Sequence, residues 1–213
     1  MFFFNTNSHF GLYLSIIKRF YQYHRQNKYV EKSIVISNTS PLINLGKADA
    51  LNLIPLLFSS DEFDVIIPME VMEEIKSPLK KQIMEMQENG QVIISPPFMG
   101  TVMNNVRLIA EEIAINANKY DPEQHYAEAY VIVKGEIAKN SLGSAFVLID
   151  EKTAKTIAKK KGLRTMTHVN IIEACVNEGM LPSTKGLEIF EKLISEGVKY
   201  RSGMLEHYKM VWS

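Results

Sequence analysis

The stretch VISNTSPLINL, residues 35–45, predicts how the fold begins. Its first residues form a continuous apolar run, which is typical of a strand buried on both faces of a parallel sheet. Pro41 then favours the first turn of a helix, where its missing N–H needs no partner. The tip of the strand is Asn38. Strand tips of this shape often carry an acidic residue that binds a metal, so the uncharged Asn38 raises the question of whether the chain catalyses a reaction.

The same alternation of strand and helix continues along the chain. Helical periodicity runs over 42–58, and helices are further predicted over 101–119, over 122–139 and in the lysine-rich run that ends at Gly162. Strands that alternate with helices predict a three-layer α/β domain around a mainly parallel sheet. The predicted sheet has about five strands, over 33–37, 64–68, 91–97, 144–150 and 163–167.

The length of 213 residues and the composition, 46% apolar and 23% charged, are ordinary for a soluble protein with one good-sized core. The single cysteine, Cys175, excludes an internal disulfide and a cysteine-based zinc site, and favours a reducing, cytoplasmic location. The net charge of zero argues against a strongly basic nucleic-acid-binding protein. Residues 1–32 contain five basic residues and one acidic residue, so the remainder of the chain is mildly acidic.

Residues 1–32 form a predicted basic extension, followed by a domain over 33–205 and a tail over 206–213. The extension begins with apolar residues, but no basic segment precedes them, and polar residues at 5–9 leave it too short to span a bilayer. We therefore expect no transmembrane segment. Residues 10–23 are compatible with a basic amphipathic helix that docks onto the domain or a partner. Membrane-surface contact and translation from an upstream start codon remain alternatives.

Several acidic residues follow the predicted strands or lie on the helices between them. In open α/β sheets, ligands bind beyond the carboxyl ends of the strands, where the strand order reverses. Carboxylates gathered there would supply the oxygen ligands that Mg²⁺ or Mn²⁺ requires, whereas no histidine or cysteine pair has zinc spacing. Each acid alone also has an ordinary explanation, as a solvated helix-face charge or a helix cap, so only their joint placement favours a metal site. The acids are Glu70, Glu73 and Glu74 after the second strand, Asp150 and Glu151 after the fourth, and Glu128 on an alanine-flanked helix.

Five short motifs with fitting spacing follow one another along the chain: VISNTSPLI, IIPMEVMEEI, AEAYVIV, VLIDEKTAK and GMLPS. Together they resemble the PIN domain, and in particular a branch related to VapC-type toxin ribonucleases. The resemblance covers about residues 33–205 and leaves 1–32 outside. It implies a PIN-like fold and a Mg²⁺- or Mn²⁺-dependent endoribonuclease that cleaves RNA. It further implies a small antitoxin protein as a partner and a homodimer.

Matched motif by motif, the resemblance implies roles for individual residues of this chain. The acid of the first strand falls on Asn38, and Lys155 stands where the branch often has arginine. The implied catalytic residues are Glu74, Glu128 and Asp150. The implied metal ligands are these three together with Asn38 and Glu151, and the hydroxyls of Thr39 and Ser40 support the first ligand.

Contacts with RNA phosphates are predicted for the lysine-rich helix that begins beside Asp150. Lys152, Lys155 and Lys159 have i, i+3, i+7 spacing and so form one basic stripe. Phosphate contacts from this stripe would make binding sensitive to salt. The alternative is an ordinary solvated helix face. No aromatic-rich stacking platform is present, so sequence-specific readout is not predicted.

Asn38 is the departure from the PIN pattern that matters for function. Its amide oxygen can ligate a hard cation but contributes no negative charge, so metal binding should weaken. Two hypotheses follow: a nuclease that uses three acids, or a catalytically impaired PIN-fold module that binds RNA or a protein partner. A different doubly wound domain, such as a phosphotransfer protein or a hydrolase, would need an acidic nucleophile at this strand tip, and Asn38 cannot act as one.

Overall fold

The computed structural model describes residues 32–59, 61–118 and 121–212. The predicted extension over 1–32 therefore lies outside the described residues, apart from Lys32. One sheet contains the five strands β1 Ser33–Ser37, β2 Phe63–Pro68, β3 Ile93–Ser95, β4 Ala145–Leu148 and β5 Arg164–Met166. Every pairing is parallel, and the strand order is β3-β2-β1-β4-β5.

Helices flank this sheet, so the predicted α/β architecture around a parallel sheet of about five strands is confirmed. A short 3₁₀ helix, Pro122–His125, precedes the helix that carries Glu128. The α-helices in the described part of the chain are α1 Thr39–Lys47, α2 Leu53–Leu57, α3 Met69–Glu74, α4 Leu79–Glu88, α5 Val102–Asn116, α6 Tyr126–Leu142, α7 Lys152–Lys160, α8 His168–Asn177, α9 Ser183–Ser195 and α10 Met204–Val211. Helices α5, α6 and α7 pack together, and α1, α2, α8, α9 and α10 form a second packed group. None of the described helices is both long and apolar enough to cross a membrane.

The helical periodicity over 42–58 forms two helices instead of the single run that the sequence predicted. Helix α1 ends at Lys47, and Asp49 then adopts a left-handed backbone conformation with φ of 52°. A short polar side chain tolerates this conformation better than most residues do. Leu45 and Leu53, on either side of the turn, are both buried, so the apolar pattern is satisfied by two short helices on one core.

The strand order reverses beside β1, which lies between β2 and β4. Val35 pairs with Val65 on one side and with Phe146 on the other. The backbone N–H of Asn38 donates to the carbonyl of Leu148 at 3.0 Å, which extends the pairing past the end of β1. The tips of β1 and β4 are therefore adjacent, at the switch point where α/β sheets bind their ligands.

Helix α6 lies against β4 without room for a side chain at Gly135. A Cβ atom built there would lie 2.9 Å from Val147 Cγ1 and 3.0 Å from Leu163 Cδ1. Ala127 and Ala129, on either side of Glu128, are also buried. This close packing fixes the start of α6, and with it Glu128, against the carboxyl edge of the sheet.

Candidate active site

Asn38 is fully buried at the tip of β1. It stands at the N-cap position of α1, yet its side chain makes no capping hydrogen bond. Instead, its Nδ2 atom donates to Glu128 Oε1 at 3.2 Å. Its Oδ1 atom has no hydrogen-bond partner among the described residues. A buried carbonyl oxygen without a donor is destabilising, so Asn38 presents an acceptor that a ligand could satisfy.

The predicted supporting hydroxyls differ in what they contact. Thr39 donates its Oγ1 hydroxyl to Glu74 Oε2 at 2.5 Å, which joins the first residue of α1 to the last residue of α3. The hydroxyl of Ser40 makes no hydrogen bond within the described ranges. Thr39 therefore orients the carboxylate of Glu74, whereas a supporting role for Ser40 stays a prediction.

Glu74 and Glu128 lie close enough for their charges to interact. Burial raises the pKa of Glu128, and the negative charge of Glu74 raises it further, while the hydrogen bond from Asn38 and the nearby His125 lower it. His125 is itself buried, and its Nε2 atom has no partner in the part of the chain that is described. A bound cation would relieve both the repulsion and the lost hydration of Glu128. We call Asn38, Thr39, Glu74 and Glu128 the Asn38 cluster.

Asp150, beyond the end of β4, is held by a different set of residues. Its Oδ1 accepts the backbone N–H of His168 at 3.0 Å, and its Oδ2 accepts Asn44 Nδ2 at 2.8 Å. His168 Nδ1 lies 2.7 Å from Oδ2 and must donate, because an ionised carboxylate can only accept. The other ring nitrogen of His168 lies 2.9 Å from the hydroxyl of Tyr200. We call these four residues the Asp150 network.

Glu151 caps helix α7, since its Oε2 accepts the backbone N–H of Ala154 at 2.5 Å. The sequence left open a helix cap by Asp150 and a favourable helix-dipole contact by Glu151, whereas the observed cap is Glu151. Within the described residues, no group of three or more histidine, cysteine, aspartate or glutamate side chains is placed to hold a metal ion. The structure thus brings Glu74 and Glu128 together and holds Asp150 in its own network.

The basic stripe predicted on α7 is available for an anion. Lys152, Lys155 and Lys159 form no ion pair with any described residue, whereas the neighbouring Lys161 pairs with Glu136 at 3.2 Å. The stripe begins at the N-terminal end of α7, next to Glu151 and Asp150. Its contact with RNA stays a prediction.

Sequence reasoning missed the residues that surround the predicted acids. His168 stands two residues past the end of β5, so the strand-end rule applied to the fifth strand would have found it. His125 precedes Glu128 by three residues, which places both near the start of α6. Asn44 and Tyr200 carry no comparable signal, because only the tertiary packing brings Asn44 to Asp150 and Tyr200 to His168.

A second set of buried polar contacts lies beyond the end of β3 and includes Glu70, one of the predicted acids. Burial lowers the pKa of Lys134 to about 8, while the Glu70 carboxylate acts in the opposite direction. Lys134 Nζ donates to the carbonyl of Pro96 at 3.0 Å and lies 4.0 Å from the centre of the Phe98 ring. Glu70, expected to be solvated, instead accepts the backbone N–H of Phe98 at 3.2 Å. These contacts fix the segment that follows β3.

The all-parallel sheet, with polar and acidic side chains at its switch point, is typical of α/β proteins that bind their ligands beyond the carboxyl ends of the strands. A family model described as PIN domain matches residues 34–210. The chain therefore belongs to the PIN domain family, which confirms the resemblance of the five motifs to the PIN domain and indicates a nuclease-like function in general terms. No curated protein matches the chain.

Proposed function

We propose that this protein is a divalent-metal-dependent endoribonuclease whose centre is the Asn38 cluster. The observation that carries the proposal is the buried, unpartnered Oδ1 atom of Asn38 beside two carboxylates that repel each other. A protein normally satisfies a buried acceptor or neutralises such repulsion. A cation bound by these oxygens would do both.

The donor set fits a hard cation such as Mg²⁺ or Mn²⁺, which the PIN family implies. The candidate ligands in the Asn38 cluster are all oxygen atoms, from Asn38, Glu74 and Glu128. Asp150 is a further carboxylate at the same edge of the sheet, and its oxygens already accept hydrogen bonds. Such an ion, when bound, orients water and stabilises charge on a phosphodiester. Asn38 contributes an oxygen but no charge, so we expect weak binding that needs millimolar metal.

Hydrogen bonds within the protein orient the carboxylates of the candidate site. Thr39 holds Glu74, and the Asn38 amide holds Glu128, so both carboxylates are oriented before metal or substrate arrives. His168 orients Asp150 through its ring and its backbone N–H. The lysines of the α7 stripe lie next to this edge and would hold the phosphates of an RNA strand.

We further propose that the protein is of the toxin–antitoxin type, with a small antitoxin as a partner and a homodimer as its assembly. The support is the resemblance of its motifs to VapC-type ribonucleases. Measurement of the mass of the purified protein in solution tests the homodimer, and co-expression with a neighbouring small gene product tests the antitoxin.

The nuclease proposal is tested with purified protein and a labelled single-stranded RNA. Cleavage should require Mn²⁺ or Mg²⁺, stop with EDTA, and fall at least about 100-fold in Glu128→Gln and in Asp150→Asn. Glu123→Gln is the matched control, because Glu123 is exposed just before α6 and should leave the rate unchanged. Failure of the wild-type protein to bind metal at millimolar concentration would overturn the proposal.

The catalytically impaired module remains the second candidate, favoured only by the missing charge at Asn38. It predicts a wild-type protein that is silent in the same assay and gains strong nuclease activity in Asn38→Asp. A wild-type protein that already cuts RNA excludes it.

A further inference from the structure

A pocket opens beside Glu74, between helices α1 and α4. Its volume is about 430 Å³, within the range of roughly 300–1,000 Å³ that is usual for small-molecule sites. Glu74 lines this pocket and also belongs to the Asn38 cluster through its hydrogen bond with Thr39. Two other cavities, of about 340 and 300 Å³, contain none of the predicted site residues in their walls. This pocket therefore shares Glu74 with the candidate active site. We call it the α1–α4 pocket.

The charges around the α1–α4 pocket favour an anion at its mouth. Lys76 is exposed in the lining, and its ammonium makes no ion pair or hydrogen bond with the described part of the chain. Lys47 also lines the pocket and donates to the carbonyl of Glu196 at 3.4 Å, a contact that leaves its charge uncompensated. The negative charge of Asp49 is offset by an ion pair with Lys192. Two cations thus stand beside one catalytic carboxylate.

The walls of the pocket are apolar and carry a polar amide at one side. Ile43, Pro78 and Leu79 supply the apolar surface, and Gln82 supplies the amide. The backbone of α1 approaches closely here, since a Cβ atom at Gly46 would lie 2.7 Å from Leu79 Cδ1. Unpaired bases bind proteins between apolar side chains and form hydrogen bonds through their edges. An amide on such a wall can both donate to and accept from a base edge.

We propose that the α1–α4 pocket binds one nucleotide of a single-stranded RNA, immediately beside the phosphodiester that is cut. The base enters between the apolar walls, Gln82 contacts its edge, and Lys76 contacts its phosphate. The position beside the cut rests on the proposed nuclease function, whereas nucleotide binding in the pocket does not. The pocket would then give the enzyme a base preference at one position.

The first test measures binding without catalysis. A fluorescent single-stranded oligoribonucleotide is titrated with full-length protein in EDTA at several salt concentrations. Lys76→Ala should weaken binding about threefold to tenfold and reduce the slope of log K against log salt by about 0.7, the value for one lost phosphate contact on a single strand. Lys80→Ala is the matched control, because Lys80 is exposed on α4 but does not line the pocket.

The second test measures the base preference during cleavage with Mn²⁺. An abasic residue is moved along the RNA one position at a time, and at one position beside the cut it should slow the wild-type enzyme about tenfold. Gln82→Ala should flatten the preference among the four bases at that position. Gln87→Ala, an exposed glutamine on the same helix outside the pocket, should keep it.

The outcomes separate this inference from the nuclease proposal. RNA that is cut with no abasic effect, and bound equally by Lys76→Ala and Lys80→Ala, overturns the pocket assignment and leaves the nuclease function standing. RNA that is bound through Lys76 but never cut supports a nucleotide site in the pocket and overturns the nuclease function. Absence of RNA binding by the wild-type protein overturns both.

Discussion

The Asn38 cluster and the Asp150 network lie at the same edge of the sheet but differ in how their oxygens are satisfied. In the Asp150 network, both carboxylate oxygens accept hydrogen bonds, and the ring of His168, which donates one of them, is supported in turn by Tyr200. In the Asn38 cluster, a buried carbonyl oxygen has no donor, and Glu128 has a raised pKa. The oxygens of Asp150 thus all have hydrogen-bond partners within the protein. The Asn38 cluster leaves a buried acceptor unsatisfied, which lowers its stability.

This difference indicates that the two regions have different functions. A carboxylate with every oxygen engaged is rigid and costs little to keep ionised, which suits a residue that must hold one orientation. Unsatisfied oxygens near like charges have a strong affinity for a cation, which suits the ligands themselves. The Asn38 cluster should therefore respond to metal, and the Asp150 network should respond to changes that break its hydrogen bonds.

The largest expected effect comes from adding a charge to the Asn38 cluster. At an effective dielectric constant near 20, unit charges about 4 Å apart interact by about 4 kcal/mol, so Asn38→Asp should tighten Mn²⁺ binding on the order of 10³-fold by isothermal titration calorimetry. The metal-free variant should melt at a lower temperature, because two carboxylates then face each other without the amide donor.

The matched substitution in the other region is Asn44→Asp, which places a charge beside Asp150. It should lower stability in the same way and leave metal affinity within about threefold of wild type, since the oxygens of Asp150 already have partners. Equal gains in metal affinity from Asn38→Asp and Asn44→Asp would contradict this difference and indicate that the two regions form one metal site.

The second prediction concerns His168, which is 6% exposed. His168→Ala removes the ring donor to Asp150 but keeps the backbone N–H, leaves the hydroxyl of Tyr200 without this partner and creates a cavity, so the free energy of unfolding should fall by about 3 kcal/mol. Its melting temperature should fall by roughly 6–12 °C.

Two further variants serve as references for the loss of unfolding free energy in His168→Ala. Tyr200→Phe removes one hydrogen bond and should lower the unfolding free energy by about 1 kcal/mol, whereas His207→Ala, on the exposed face of α10, should change it little. A loss in His168→Ala no greater than in His207→Ala would show that the Asp150 network is not structural.

The strands and most helices could be predicted from the sequence because they depend on local pattern. The apolar run of β1 and the position of Pro41 define the first strand and helix, and the observed β1, Ser33–Ser37, has the predicted bounds. The turn at Asp49 was missed because the periodicity of 42–58 continues through it. Helix periodicity reports which residues are buried, and two short helices bury the same leucines as one long helix.

The acids of the site could be named from motifs, but their hydrogen-bond partners could not. Thr39 was predicted to support a neighbouring ligand in the chain, whereas its hydroxyl reaches Glu74, 35 residues away. Asn44 contacts Asp150 from α1, and Tyr200 contacts His168 from the segment after α9. Such partners depend on how helices pack over the sheet, and no periodicity in the sequence encodes that.

The smallest expected effect separates catalysis from stability at one residue. Burial raises the pKa of Glu128, so in the pH range above its ordinary value of 4.5 the folded protein binds a proton there more readily than the unfolded chain does. Stability contributed by this group therefore falls as pH rises through that range. Glu128→Gln has no such loss and retains an oxygen that can accept the Asn38 amide. Despite its loss of activity, it should melt above wild type near neutral pH without metal.

The pH dependence of the difference in melting temperature between Glu128→Gln and wild type tests this prediction. The gap in melting temperature between Glu128→Gln and wild type should be near zero below about pH 4.5, grow with rising pH and then level off. Glu70, whose pKa is also raised by burial, is present in both proteins and cancels in the difference. Mn²⁺ should reverse the order, because only wild type gains stability from the bound ion. A variant less stable than wild type in EDTA would mean that Glu128 is satisfied as Asp150 is, and the contrast between the two regions would be lost.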